Sequence, residues 1–170
     1  MNTSDCILLA VLLAFSAYFS ASETALSTVN KIRLKSYADN GSKKAKLALD
    51  IAENYDRTLS TILVGNNVVN TASAALMTTV TTALFGASGA VIATAVTTVL
   101  VLIFGEILPK TYGKENSEKL ALTIAGPMHF LIVLLTPVVS IFQLLQRAMV
   151  RLCSKGDKSP SVTEEELKYI

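Results

Sequence analysis

Charge is scarce in this sequence and missing altogether from three long stretches. Only 16% of its 170 residues are Asp, Glu, Lys or Arg. None lies between Asp5 and Glu23, none between Arg57 and Glu106, and none between Lys119 and Arg147 unless His129 is counted. A buried helix of a water-soluble protein rarely runs so far without charge, whereas a bilayer asks for about 20 apolar residues per crossing. With a hydrophobic fraction of 51% and a mean hydropathy of +0.50, these gaps exclude a disordered chain and a nucleic-acid-binding domain and point to a membrane protein.

Other absences narrow the chemistry. Histidine occurs once, and His129 has no second His, Cys or carboxylate at ligand spacing, so it reads as a hydrogen-bonded residue rather than a metal ligand. The two cysteines, Cys6 and Cys153, stand at opposite ends and on opposite membrane faces in the topology below, which forbids a disulfide between them. There is no HExxH, no GxSxG and no pair of carboxylates across one site, so an enzyme is not expected. The start, MNTSDC, lacks a basic n-region and no A-x-A-like site follows, so the first apolar stretch is expected to stay in the mature protein.

The apolar stretches divide into spans. As one helix, Arg57 to Glu106 would be roughly 70 Å long, more than twice the hydrocarbon thickness, so it must turn. The turn falls at FGASGA, Phe85 to Ala90, where two glycines and a serine allow it. Spans are expected over Cys6–Thr28, Thr58–Leu84 and Ala90–Ile107. Lys31, Arg33, Lys35, Lys43, Lys44, Lys46 and Arg57 crowd the segment between the first two, which the positive-inside rule makes cytoplasmic. The N-terminus and the FGASGA turn are then outside, and EILPKTYGKENSEK is inside.

Leu120 to Gln146 is apolar but flanked by basic residues at both ends, Lys119 before it and Arg147, Arg151, Lys155 and Lys158 after it. Pro127 and Pro137 each remove a helical donor. The stretch reads as a re-entrant or interfacial helix pair bent near Thr136 and Pro137, against the alternative of a fourth span. Asn40-Gly41 and the Ser42 cap open a juxtamembrane helix with Leu47 and Ile51 on one face. After residues 1–152 the composition changes to a cytoplasmic linker, and Thr163 and Glu166 at capping-box spacing begin a helix in which the chain stops, as expected of a piece of a longer protein. The expectation is an all-α membrane protein of three transmembrane helices, a re-entrant or juxtamembrane pair and a cytoplasmic amphipathic helix.

Polar groups inside such spans are costly and need partners, so they carry the functional signal. Ser16 and Ser20 share a face of the first span; Asn66 and Asn70 share one of the second, with Asn67 turned away. The third span ends in GEILPK, where Pro109 cannot donate to the carbonyl of Gly105, beside the carboxylate of Glu106. A rise of about 1.5 Å per residue lets the three clusters meet at or just inside the midplane. Hydroxyls, amide oxygens, a carbonyl and one carboxylate suit a hard cation such as Mg²⁺ or Na⁺. The plainer readings are helix packing for the serines and the Ala/Ser/Thr-rich run, and hydrogen bonding across helices for the asparagines. Glu23 is placed near the inner interface, paired with Lys31 or Arg33.

FSASETALST, LSTILVGNNVVNTASAAL and FGEILPKTYGKEN, in this order, resemble the membrane domain of the CorC family, related to the cyclin M (CNNM) magnesium transporters. The resemblance spans nearly the whole chain, and the motifs are specific as a set. It implies a dimeric domain in the cell membrane that carries Mg²⁺ outward in exchange for Na⁺, with ATP-binding CBS modules regulating the full-length protein. By the same resemblance the cation site is Ser16, Ser20, Asn66, Asn70, Gly105 and Glu106. The SETAL form departs from the animal members, and Glu23 is not placed in the site. The rival reading is a membrane anchor whose polar residues serve only dimer packing.

Overall fold

The structure, a computed structural model, describes residues 3–153. Among these residues it is helical, with no strand. Helix α1 is Thr3–Thr28, α2 Lys31–Asp39, α3 Lys43–Glu53 and α4 Tyr55–Phe85. A 3₁₀ turn, Gly86–Ser88, leads into α5, Gly89–Leu100, and a π-helical segment, Val101–Ile107, continues into α6, Leu108–Glu115. Helix α7, Ser117–Cys153, follows after Asn116. The linker and the Thr163/Glu166 capping box lie outside the described residues.

Among the described residues, four helical runs are long and apolar enough to cross a membrane: α1, α4, Gly89–Glu115, and Ser117–Phe142 within α7. Their large apolar side chains stand outward, with Val91 74% and Phe130 65% exposed. Side chains of this kind belong against acyl chains, since water-soluble surfaces do not present them at this density. The protein is an all-α, multi-pass membrane protein.

The expected bounds of the first two spans differ from α1 and α4 by three residues or fewer. The third does not stop at Ile107. It passes Pro109 and remains helical to Glu115, the missing Pro109 N–H falling just after the π segment.

The helix pair expected to bend near Thr136 and Pro137 is one helix, unbroken across both Pro127 and Pro137. Membrane helices tolerate proline more readily than soluble ones, and beside Pro137 the Thr136 hydroxyl donates to Ile132 O and accepts from Arg57. His129, expected in a hydrogen-bonded place, is exposed on α7.

The described chain divides after Thr136 into two units, and the packing that follows belongs to the first. Helix α1 is its axis, lying against α4, the π segment and α6. Phe19, Leu26, Ile51 and Ile62 share a core with Ala121, Ile124, Ala125, Met128 and Ile132, whose spacing marks one face of α7. The return from α4 to α5 is tight: Gly86 takes φ 64°, and a Cβ on Gly89 would collide with the backbone of Thr81 and Thr82. The juxtamembrane helix forms as read, with the Ser42 hydroxyl accepting from Ala45 N at 3.3 Å and Ile51 buried. Asn30 caps α2 in the same way, accepting from Arg33 N at 3.1 Å.

Ion pairs and hydrogen bonds between helices tie their ends together. Glu23 meets Lys110 of α6 at 3.5 Å, in place of the expected Lys31 or Arg33, because α6 packs along α1 and delivers Lys110 there. Arg33 is engaged elsewhere, with Glu118 at the start of α7, at 2.9 Å. Arg57 donates to Thr136 Oγ1 at 2.8 Å.

Candidate cation site among the membrane helices

Helix α1 buries Ser16, Phe19, Ser20, Ser22, Ala25 and Leu26, three of them hydroxyls, and Ser16 and Ser20 lie one turn apart on one face. Ser16 Oγ lies 2.8 Å from Asn70 Oδ1 and 3.2 Å from Asn66 Oδ1. One hydroxyl has one proton, so it serves one of these acceptors at a time, and two amide oxygens converge on a single donor. Asn66 and Asn70 are half-buried and share a face of α4, while Asn67 is exposed, as the spacing requires.

Gly105 closes the third side. It is buried, and a Cβ there would stand 2.7 Å from Ser16 Oγ, so only glycine lets the π segment approach α1 this closely. Glu106 is half-buried and lines, with Asn70, a cavity of about 300 Å³ between α4 and the α5–π run. Ser20, one turn along α1, is fully buried, and its hydroxyl has no hydrogen-bond partner. The structure therefore joins Ser16, Asn66, Asn70 and Gly105 directly, adds Glu106 through the cavity wall it shares with Asn70, and leaves Ser20 beside them uncommitted.

The π turn was not visible in the sequence. Leu108 N–H donates to Ile103 O, five residues back rather than four. The next donor would be Pro109, which has none, so Phe104 O, five back, and Gly105 O, four back, both face that gap. Regular α-helical spacing frees Gly105 O alone; the π register adds Phe104 O.

Among the described residues no three His, Cys, Asp or Glu side chains converge. What the arrangement offers is oxygen: two amide carbonyls, two hydroxyls, backbone carbonyls at a π turn, and one carboxylate. Such a set excludes the soft ligands that favour zinc or copper and matches hard cations. Thr97 also lines the cavity, with a buried hydroxyl lacking a partner. Reading the threonine-rich run as packing missed it, because rotation about the helix, which the π turn alters, decides which threonine faces inward.

A multi-pass helical membrane protein with a polar, oxygen-lined cluster among its spans is the class these features define. Residues 7–170 match the model of the cyclin M transmembrane N-terminal domain, and the chain belongs to that family. It is 40% identical over 162 residues to the UPF0053 inner membrane protein YfjD of Escherichia coli K12, covering 91% of this chain and 37% of that protein. It is 36% identical over 165 residues to the chloroplastic DUF21 domain-containing protein At1g55930 of Arabidopsis thaliana, covering 96% of this chain and 25% of the relative. A UPF0053 protein of Haemophilus influenzae is 36% identical over 166 residues, covering 96% and 40%. The chain thus spans less than half the length of each of these relatives.

Proposed function

We propose that this chain is the membrane domain of a secondary transporter that exports Mg²⁺ across the cell membrane in exchange for Na⁺, without covalent chemistry of its own. The observation that carries the reading is the convergence of Asn66 and Asn70 oxygens on Ser16, against Gly105 and beside Glu106, the lone carboxylate of the cavity. A buried anionic group inside a membrane is expensive unless a cation or partner meets it. Ser16, Ser20, Asn66, Asn70, Gly105 and Glu106 are the proposed ligands, the dehydrated ion taking hydroxyl and amide oxygens in place of water.

The proposed orientation places the N-terminus outside and the Lys31–Arg57 segment and the C-terminus in the cytoplasm. The contacts of α7 support it. Arg33 and Arg57, both of that basic segment, hold Glu118 and Thr136, which are eighteen residues or about 27 Å apart along α7. A helix held over that distance by one membrane-surface segment lies along the inner surface rather than crossing. A homodimer, regulated by ATP-binding CBS modules, completes the reading.

Flux measured in proteoliposomes with an interior Mg²⁺ indicator, with and without a Na⁺ gradient, tests transport and coupling together. An anchor without transport predicts no Mg²⁺ movement in either condition and no effect of Glu106→Gln.

A further inference from the structure

The buried hydroxyls of these helices follow one rule with three exceptions. Ser22, Thr58, Thr61, Ser73 and Thr81 each donate to the carbonyl four residues back, which satisfies the proton within the helix. Ser16 donates instead to the asparagine pair, while Ser20 and Thr97 donate to nothing. Ser20 belongs to the cluster already described. Thr97 does not: it sits on α5, only 7% exposed, and faces the cavity from the side opposite Asn70 and Ala74.

Backbone register explains why Thr97 and Glu106 share that cavity. Nine residues of regular α-helix would set them about 180° apart around the axis. The π turn between them inserts one residue into the register, and the same nine residues then leave them only about 80° apart. Thr78 and Thr94, also in the wall, turn their protons onto Ala74 O and Ala90 O, so lone pairs are what they present. The wall thus sets the oxygens of Asn70, Thr78, Thr94 and Thr98, the buried and uncommitted Thr97 hydroxyl, and a single carboxylate at one end among the apolar Ala74, Val101 and Leu102.

From this we propose a second cation subsite on the α4–α5 side of Glu106, for a monovalent cation of the Na⁺ class, with Thr97 Oγ1 as a ligand. Neutral oxygens and one carboxylate form a hard-cation donor set, and Na⁺ is the ion assigned here because it is the counter-ion of the proposed exchange. Glu106 is shared with the Ser16, Asn66 and Asn70 cluster, so occupancy of one subsite withdraws the carboxylate from the other. The inference rests on the reading that this cluster takes Mg²⁺, and it supplies the competition an exchanger needs. The subsite extends toward the Gly86–Ser88 turn, the outer side in the proposed orientation, from which Na⁺ arrives.

The test is thermal unfolding of the whole chain in detergent, titrated with NaCl against choline chloride without Mg²⁺, and separately with MgCl₂ in choline. Wild type and Thr97→Ser are expected to be stabilised by Na⁺. Thr97→Val, which keeps the shape and loses the hydroxyl, is expected to need at least about fivefold more Na⁺ for the half-maximal shift while keeping its Mg²⁺ response. Ser16→Ala should do the reverse. No Na⁺ shift in wild type, or a Thr97→Val titration equal to wild type, overturns the subsite. Loss of the Mg²⁺ shift in wild type overturns the cluster as a Mg²⁺ site instead, so the two failures are read on separate titrations.

Discussion

At the scale of single residues, charge and volume can be removed one at a time. Glu106→Gln keeps size and hydrogen-bonding capacity but discards the negative charge that a dication needs, so Mg²⁺-dependent stabilisation in a melting experiment is expected to fall by about tenfold or more in affinity. An anchor predicts the opposite sign, because neutralising a half-buried carboxylate then relieves a desolvation cost and leaves the protein as stable or more so. Gly105→Ala tests volume. Its Cβ would lie 2.7 Å from Ser16 Oγ, so either that hydroxyl rotates off the asparagine pair or α1 and the π segment separate, with an expected loss of up to about 1–3 kcal/mol and of Mg²⁺ response together. Calorimetric unfolding with and without Mg²⁺ measures both. The proposed ligands were legible as intramembrane polar groups, Ser16/Ser20 and Asn66/Asn70 by their one-turn repeat and Gly105/Glu106 by the Pro109 break that follows them. Thr97 was not, since it lies among many threonines and only packing distinguishes it.

At the scale of elements, the π segment Val101–Ile107 is the feature on which the site's geometry turns. Pro109 holds it by denying a donor to the carbonyls four and five residues back. Pro109→Ala supplies that donor and favours a regular α register, which rotates Glu106 by about 100° relative to α5. The variant touches no proposed ligand, yet its Mg²⁺-dependent melting shift is expected to drop toward that of Glu106→Gln while far-UV circular dichroism stays helical. An unchanged shift would separate the π turn from ion binding. Helix α7 shows the converse lesson. Its prolines read as a bend, yet the helix is continuous across both, because a proline inside a membrane helix removes one hydrogen bond without obliging the chain to turn.

At the scale of the whole molecule, orientation is the property most open to test. Basic residues flank α7 on both sides, and its ties to Arg33 and Arg57 hold Glu118 and Thr136 to one segment. A membrane-impermeant thiol reagent applied to intact cells is therefore expected to label Cys6, which is exposed, and not Cys153. Labelling of Cys153 from outside, with Cys6 replaced, would mean that α7 crosses. The Arg33–Glu118 pair is largely exposed, so its removal is expected to cost at most about 1 kcal/mol, a loss that salt screens. A greater loss by urea unfolding in detergent would show that the pair anchors α7 and does more than decorate its end.

The amino-acid sequence by itself determined the membrane class, the positions of α1 and α4, the Gly86–Gly89 return and the residues of the polar cluster. These depend on local quantities: runs without charge long enough for a bilayer, one-turn spacing of polar groups, and turn chemistry. Only the tertiary structure decided that the 117–153 stretch is one helix, that Glu23 pairs with Lys110, and that Glu106 and Thr97 face a common cavity. Each of these depends on which neighbour completes a backbone or charged group. A one-residue change of helical register leaves composition and spacing untouched yet moves a side chain by about a quarter of a turn.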